Sequence, residues 1–583
     1  MVDASFKRTL LCGSLGLILA VASCNQTLLS GDLFDGGTGD SEICANTCSN
    51  DLRSVVDCRG IVQRACGPSE GCADARCIPN PCEAARTSKS SYGCDYWALK
   101  TAQRVQADGS CFAALVSNTW PLPVHIKIQY DGQSISPAKF AYIPRVMDGI
   151  MNFQPKVDYV PYDASLGLGV GEVAVIFLSR LASGSVTDCP RPAALATDTG
   201  FSQSGIGKAF HISTDYPVTA YQFNPYGGGA NAIGAATMLL PTSAWDTNYL
   251  AINAYKAPTN DILGGAPSLN IVAAEDQTMV TLLPKAAIVG GGGIAAGAAN
   301  TPITYQLAAG QFLQFTQLAE LTGSPIQSNK PVGVFGASSG MRVPTTQGDQ
   351  DNAQQQIAPI KAMGSEYVAV RYRNRVSAMA EESVPWRLVG MVDGTSLTWE
   401  PSQPPGAPSS LRLGEIVEFN SPGPFVVRSQ NNEHPFYLGG YMTGGSPYNN
   451  IGDPEWVNAT PSAQYLNHYV FFTDPTFPET SLVVVRRRSK VDNQFADVRL
   501  GCMDTNLTGW QPVGQYEYTR VDLVSGMFKG IGKCLNGRQE MSSQLPFGVT
   551  VWGWGAIQQY TNNSYAYAAG AGFQPINNVQ IVP

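Results

Sequence analysis

The sequence predicts an all-β chain: four tandem β-repeat units of sandwich-like build, behind a small disulfide-rich segment. Composition is the first reason. Charged residues are only 14% of 583, while Gly (60) and Pro (39) are plentiful, which suits turn-rich β structure better than long solvated helices. The second reason is a recurring junction. LLPTSAWDTNY, IAPIKAMGSEYVAVRY and ATPSAQYLNHYVFF each set a proline (Pro241, Pro359, Pro461) eight residues before a tyrosine (Tyr249, Tyr367, Tyr469). A bulky residue, Trp245, Met363 or Tyr465, stands midway. Third, the same order of short apolar runs follows each tyrosine, rich in Val, Ile, Phe, Tyr and Thr and bounded by Gly, Asn, Asp or Pro.

The first element is an address. Lys7 and Arg8 precede an apolar run from Leu10 to Ala22 that ends in Val21-Ala22-Ser23-Cys24. A basic start, a short apolar stretch and small residues before a break form a secretory signal over 1–23, too short for a stable membrane span. The ending resembles the lipobox of bacterial lipoproteins. That resemblance implies cleavage before Cys24 and acylation of its thiol and new amino end, and several acyl chains hold a membrane far better than one. Residues 24–43, which include NQTLLSGDLFDGGTGDSE, read as a flexible tether with a mean reach of roughly 25 Å. Asn25 after the acylated cysteine is not the aspartate that retains enteric lipoproteins at the inner membrane, so outer membrane or cell surface is expected.

Cysteine usage fits export. Of 14 cysteines, Cys12 leaves with the signal and Cys24 is acylated, which leaves 12, an even number. Eight crowd into residues 44–95: Cys44, Cys48, Cys58, Cys66, Cys72, Cys77, Cys82 and Cys94. So short a segment has little core of its own, and disulfides are expected to supply what burial cannot. A zinc cluster is the rival reading, but paired C-x-x-C units are missing. The remaining four group as Cys111 with Cys189 and Cys502 with Cys534, two local bridges worth roughly 3.5 to 4.5 kcal/mol each on the loop-entropy estimate.

The four units follow as 96–240, 241–358, 359–460 and 461–583. The third shows the order of runs best: VAVRYR after Tyr367, PWRLVGMV, DGTSLTWE, GEIVEFN, FVVRSQ and PFYLGGYM. Asp393-Gly394 and Asp131-Gly132 read as two-residue hairpin turns. Trp386, Leu388 and Gly390 alternate with Arg387 and Val389, the period of a sheet with unlike faces. Pro217, Pro331, Pro435 and Pro546 open the last strand of each unit, where a missing N–H costs no ladder bond. The midway bulky residue is expected to plug the space between neighbours, and the tyrosine to anchor the next unit's first strand. An alternative architecture is a β-propeller with each unit as a blade and YAYAAG closing onto the first strand.

At this point GCDYWALK, YPVTAYQFNPYGGG, LLPTSAWDTNY, NIVAAEDQTMVTLLP, SNKPVGVFG, GDPEW and LPFGVTVWGWG together resemble the IgGFc-binding protein N-terminal domain, over roughly Gly93 to Gly570. The chain is similar in particular to bacterial lipoproteins that place a Cys-rich segment before that domain. The resemblance implies a cell-surface binding module, and it carries no assigned Fc-contact residue to this sequence. Around Gly340 to Gln356, GMRVPTTQGDQDNAQQQ replaces the Cys- and His-containing segment expected of the family, and the von Willebrand D domains of its animal relatives are absent.

Little chemistry emerges. Gly336-Ala337-Ser338-Ser339-Gly340 spells a nucleophile elbow, but MRVPTTQGDQD follows where a helix is needed. Gly290 to Gly293 lack the Lys-Ser or Lys-Thr of a phosphate loop and read as a hairpin tip. Asp349 and Asp351 offer weak calcium chemistry, and Asp453-Pro454 reads as a turn. Four histidines leave little material for imidazole catalysis, and a net charge of -8 argues against nucleic acid. No catalytic residue, cofactor or metal is expected.

Two basic clusters remain as ligand faces. Arg371, Arg373 and Arg375 alternate, so a strand would put them on one face. Arg486, Arg487, Arg488 and Lys490 stand at a strand end. Either would attract sulfated or carboxylated glycan or lipid phosphate, or simply guard a sheet edge against aggregation. Trp552, Trp554, Tyr560, Tyr565 and Tyr567 are read as packing between units, with sugar stacking as the alternative. The expected function is a lipid-anchored envelope protein that binds an extracellular protein or glycan. The alternatives are a structural spacer and, behind it, an exported hydrolase.

Overall fold

The computed structural model describes residues 45–583, apart from 58–59, 152–153, 182–186, 231–232, 260–263 and 557–561. The signal over 1–23, Cys24, the tether, Cys44, Cys58 and Tyr560 lie outside the described residues.

Strands dominate, and the described residues hold one α-helix, Pro81–Ser88. The third stretch of chain shows the plan most plainly. One sheet runs in the order 366–369, 425–429, 395–400, 410–411, and the other 416–421, 384–390, 436–442, 455–458. These are the two layers of a sandwich. The other stretches share its key move. A long strand (Phe210–Phe223, Pro325–Met341, Gly537–Trp554) pairs at its start with an opening strand and at its end with a closing strand. In the third stretch that path is split into Phe425–Ser429 and Phe436–Met442.

Pro435 opens the strand Phe436–Met442 as the sequence suggested, whereas Pro217, Pro331 and Pro546 lie inside one long strand, where its partner changes from the opening to the closing strand. Opening-strand partners skip from Val218 to Ser213, from Val332 to Gln327, and from Phe547 to Ser542. Pro217, Pro331 and Pro546 fall within those unpaired detours, so the missing N–H costs nothing, as at an edge.

The junction tyrosines fasten the detour. Tyr249 accepts a hydrogen bond from the Asp246 N–H and donates to the Val332 carbonyl, at 3.0 and 2.8 Å. Tyr367 does the same with Gly364 and Phe436, at 3.1 and 2.6 Å, and Tyr469 with Leu466 and Phe547. Tyr96 donates to Val218 at 2.7 Å. Every acceptor directly follows one of the four prolines, and all four rings are buried. The midway residues are buried too. A Cβ on Gly333 would stand 2.7 Å from the Trp245 ring, and one on Gly548 2.6 Å from that of Tyr465. Two of the three junction prolines also reach back to the stretch before them. Pro241 packs on Gly93 and Pro461 on Gly364, with no room for a Cβ between them.

The closing strands Ala236–Leu239, Asp351–Ile357, Glu455–Asn458 and Ser564–Ala568 touch in a cycle, first with second, second with third, third with fourth and fourth with first. Sandwiches therefore stand around a filled axis, which combines the two architectures the sequence left open. Gln355 marks that axis. Its amide nitrogen lies 3.2, 2.9 and 2.8 Å from the carbonyls of Ala236, Trp456 and Ala566. These three are equivalent positions, because each pairs with the residue six beyond its stretch's proline: Phe223, Tyr441 and Trp552. After Ala568 the chain does not add to the first strand. It crosses the junctions, bonding Gln464, Lys89, Lys361 and Asn248 in turn through Gly572, Phe573, Ile576 and Ile581.

Of the local expectations, one holds and two need correction. Asp131-Gly132 closes a true hairpin, with Tyr130 opposite Gln133. Asp393-Gly394 turns the chain between strands that belong to different sheets, because turn chemistry reverses a chain without deciding whether its flanks pair. The strand Val384–Gly390 is buried on both faces, since Arg387 packs over the Tyr255 ring and pairs with Glu320. Finally, the hairpin Ala141–Met151 with Gln154–Pro161 was not foreseen.

Candidate functional site

The disulfides shape one wall of the site. Cys48 bonds to Cys72, Cys66 to Cys77 and Cys82 to Cys94, while Cys111 bonds to Cys189 and Cys502 to Cys534. Asn80 caps the helix by accepting from the Glu83 N–H at 3.2 Å. The Cys82–Cys94 bridge then ties that helix to the first opening strand.

Of the two basic clusters, the first is structural. Arg371 to Arg375 do not form a strand, so no common face exists. Arg375 is buried against Glu382 at 3.0 Å and donates to the Thr443 and Ile451 carbonyls. Arg373 joins Glu479 and Asp522 and covers the Trp554 ring at 4.9 Å. Arg371 pairs with Glu381 at 3.1 Å. Each guanidinium is spent on a partner, because alternation in sequence says nothing about which carboxylates the fold brings up, from the same loop for Arg371 and Arg375 and from the next stretch for Arg373.

The second cluster faces solvent. The strand Glu479–Arg487 is flanked by partners on both sides up to Arg486. Arg486 is committed, with 2.9 and 2.6 Å bonds to Glu517 and its guanidinium 4.0 Å from the Trp510 ring centre. A turn follows, held by the Ser489 N–H to the Gln494 carbonyl at 2.8 Å. Arg488 lies over Phe495 at 4.2 Å and donates to the Asn493 carbonyl. Arg487 is half-buried, and Arg488 and Lys490 are exposed. Among the described residues Arg487 and Lys490 have no ion-pair partner.

Two grooves flank this ridge, and Arg487, Arg488 and Lys490 line both. One, of about 540 Å³, runs between the disulfide-rich segment at Asn50 and Asp57 and the chain at Gln544. The other, of about 560 Å³, lies against Arg428, Asn431 and Tyr516 of the third and fourth stretches. The nearby carboxylates are occupied. Burial alone would raise Glu366, yet bonds from Tyr516, Ser462 and Arg428 hold its carboxyl below the usual value. Asp492 accepts from Gln494 N–H within its own turn, and Asp57 from Ile61 N–H.

The other sequence candidates lie elsewhere. Ser338 is inside a strand and paired on both sides, its hydroxyl donating to the Ala266 carbonyl. Gly290 to Gly293 tip a hairpin closed by Gly291 and Ile294. Asp349 accepts from the N–H and hydroxyl of Ser446, while Asp351 accepts from Gly234 and Asn352. Asp351, Asp453 and Glu455 are buried. Burial pushes all three carboxyls well up, helped by their mutual repulsion. Among the described residues no group of three or more His, Cys, Asp or Glu is placed to hold a metal ion. Trp552 and Trp554 pack on Tyr372, and Tyr565 and Tyr567 on Phe223, all between stretches.

Sequence reasoning missed the grooves themselves. They arise where stretches distant in the chain meet, and no local signal marks them. A family described as IgGFc binding protein matches residues 235–553. Among curated proteins, none matches the chain.

Proposed function

The chain belongs to the IgGFc binding protein family, and on that premise we propose that it is a surface-tethered binding protein of a bacterial envelope, held by an acylated Cys24 and engaging an extracellular protein or glycan, without catalysis. The observation that carries the reading is the solvent-facing basic ridge between two grooves. The protein as a whole is acidic, with a net charge of -8, so three neighbouring cations without a matching carboxylate invite an outside partner. Signal, lipid and flexible tether would place that surface outside the membrane.

Binding is tested by probing protein and glycan arrays and whole cells with the purified full chain, immunoglobulin Fc among the probes. Reproducible capture of a ligand is expected. An empty array, cells included, would favour the spacer. The tether is tested separately, by mass spectrometry of the native N-terminus with membrane fractionation. An acylated Cys24 in the membrane fraction is expected, and a soluble, unacylated product overturns this part.

A further inference from the structure

We infer that the ridge Arg487–Lys490 binds a linear polyanionic oligosaccharide, sulfated or uronic-acid-bearing, laid across it with one end in each groove. The inference rests on the binding role proposed above and names its ligand class.

Three observations carry it. First, the same cationic side chains line both grooves, so one ligand that crosses the ridge meets them all. From residue 487 to 490 the backbone spans roughly 10 Å when extended, about the length of a disaccharide. Like charges at such spacing repel one another, and an anionic ligand relieves that repulsion with charge-assisted hydrogen bonds. Second, the groove walls are rich in amides and hydroxyls, including Gln430, Asn431, Gln494 and Gln544. Amides both donate and accept, which suits sugar hydroxyls. Third, the strand that ends in the ridge already has neighbours on both sides through Arg486. An acidic peptide therefore finds no free strand edge to extend, whereas a sugar chain needs none.

The fixed geometry of the ridge supports recognition. Arg486 is clamped by Glu517 and Trp510, and Arg488 rests on Phe495. The cations thus stand on a base that is ordered before the ligand arrives, which lowers the cost of binding.

The test is calorimetric titration of the full chain with size-fractionated heparin, with its desulfated counterpart and with poly-glutamate, at low and high salt. Heparin fragments are expected to bind, more weakly as salt rises, and desulfation is expected to weaken them sharply. The double variant Arg487→Gln with Lys490→Gln should lose about tenfold or more in affinity at an unchanged unfolding midpoint. Lys529→Gln, an exposed cation away from the grooves, should bind as the parent does. Equal affinity of parent and double variant overturns the inference, and so does poly-glutamate that binds as tightly as heparin. If the array ligands are still captured while heparin is ignored, the ligand class falls and the binding role stands. If nothing binds in either assay, both fall.

Discussion

The side-chain amide of Gln355 donates to the Ala566 carbonyl across 2.8 Å, which joins the second and fourth stretches through the axis of the molecule. The same nitrogen faces the carbonyls of Trp456 and Ala236, so two hydrogens serve three buried acceptors. Gln355→Leu keeps the bulk and removes the donor. It should lower the unfolding free energy by about 1–3 kcal/mol, read from denaturant titrations followed by circular dichroism. Gln355→Glu should cost more at neutral pH, because a carboxylate would face three carbonyl oxygens.

The junction tyrosines make a second prediction. Tyr249→Phe or Tyr367→Phe would strand a buried N–H and a buried carbonyl while leaving the ring in place. A loss of about 1–3 kcal/mol per variant is expected. Gly548→Ala should destabilise comparably through overpacking, since its new methyl would stand 2.6 Å from Tyr465. Unchanged midpoints for all three would mean that these junctions do not hold the stretches together.

How much of this was legible beforehand depends on the residue. The tyrosines and midway bulky residues announced themselves because one packing problem is solved several times with the same spacing. Tyr92 fills the midway position before Tyr96 and was passed over, since Ser88 stands where the other junctions have proline. The closing strand Asp351–Ile357 was hidden more deeply. DNAQQQI looks like a solvated loop, yet it is buried throughout, and the amides of Gln354 and Gln355 donate to carbonyls from other stretches that no local window contains. The ridge was legible as a charge cluster. The pairing that silences Arg373 was not, since Glu479 and Asp522 come from another stretch, while Arg371 and Arg375 turn to Glu381 and Glu382 within their own loop.

The buried carboxyls predict a pH dependence. Asp351, Asp453 and Glu455 have folded-state values raised by burial and mutual repulsion. A raised acid binds its proton more tightly folded than unfolded. Its contribution is therefore complete below the unfolded value near 4 and is lost as pH climbs through the raised folded value. Asp453→Asn should flatten that decline, so the variant gains on the parent in alkaline buffer and not at pH 4. Parallel stability curves for the two proteins would refute the assignment.

Glu540 runs the opposite way. Its bonds from His468 and Arg538 outweigh burial and hold it at about 2, so what it contributes is present above the unfolded glutamate value and fades as pH falls toward 2. Glu540→Gln should therefore narrow its difference from the parent as the solution is acidified, in thermal melts from pH 6 downward.

The final segment ties the junctions. Asn577 donates to the Ile360 and Met363 carbonyls, and Asn248 exchanges two bonds with Ile581. Removing residues 574–583 should lower the thermal midpoint and raise protease sensitivity near Lys361. A truncated protein as resistant as the parent would show that this segment merely rests on the surface.

The cyclic contact of the four closing strands also constrains biogenesis. A polypeptide synthesised from its N-terminus delivers Ser564–Ala568 almost last. Until those residues emerge, Gln355 lacks one of its three acceptors and the first and third stretches border an open wedge. Burial of the centre thus waits on arrival of the whole chain, which keeps the molecule unfinished, and visible to proteases, until synthesis is complete.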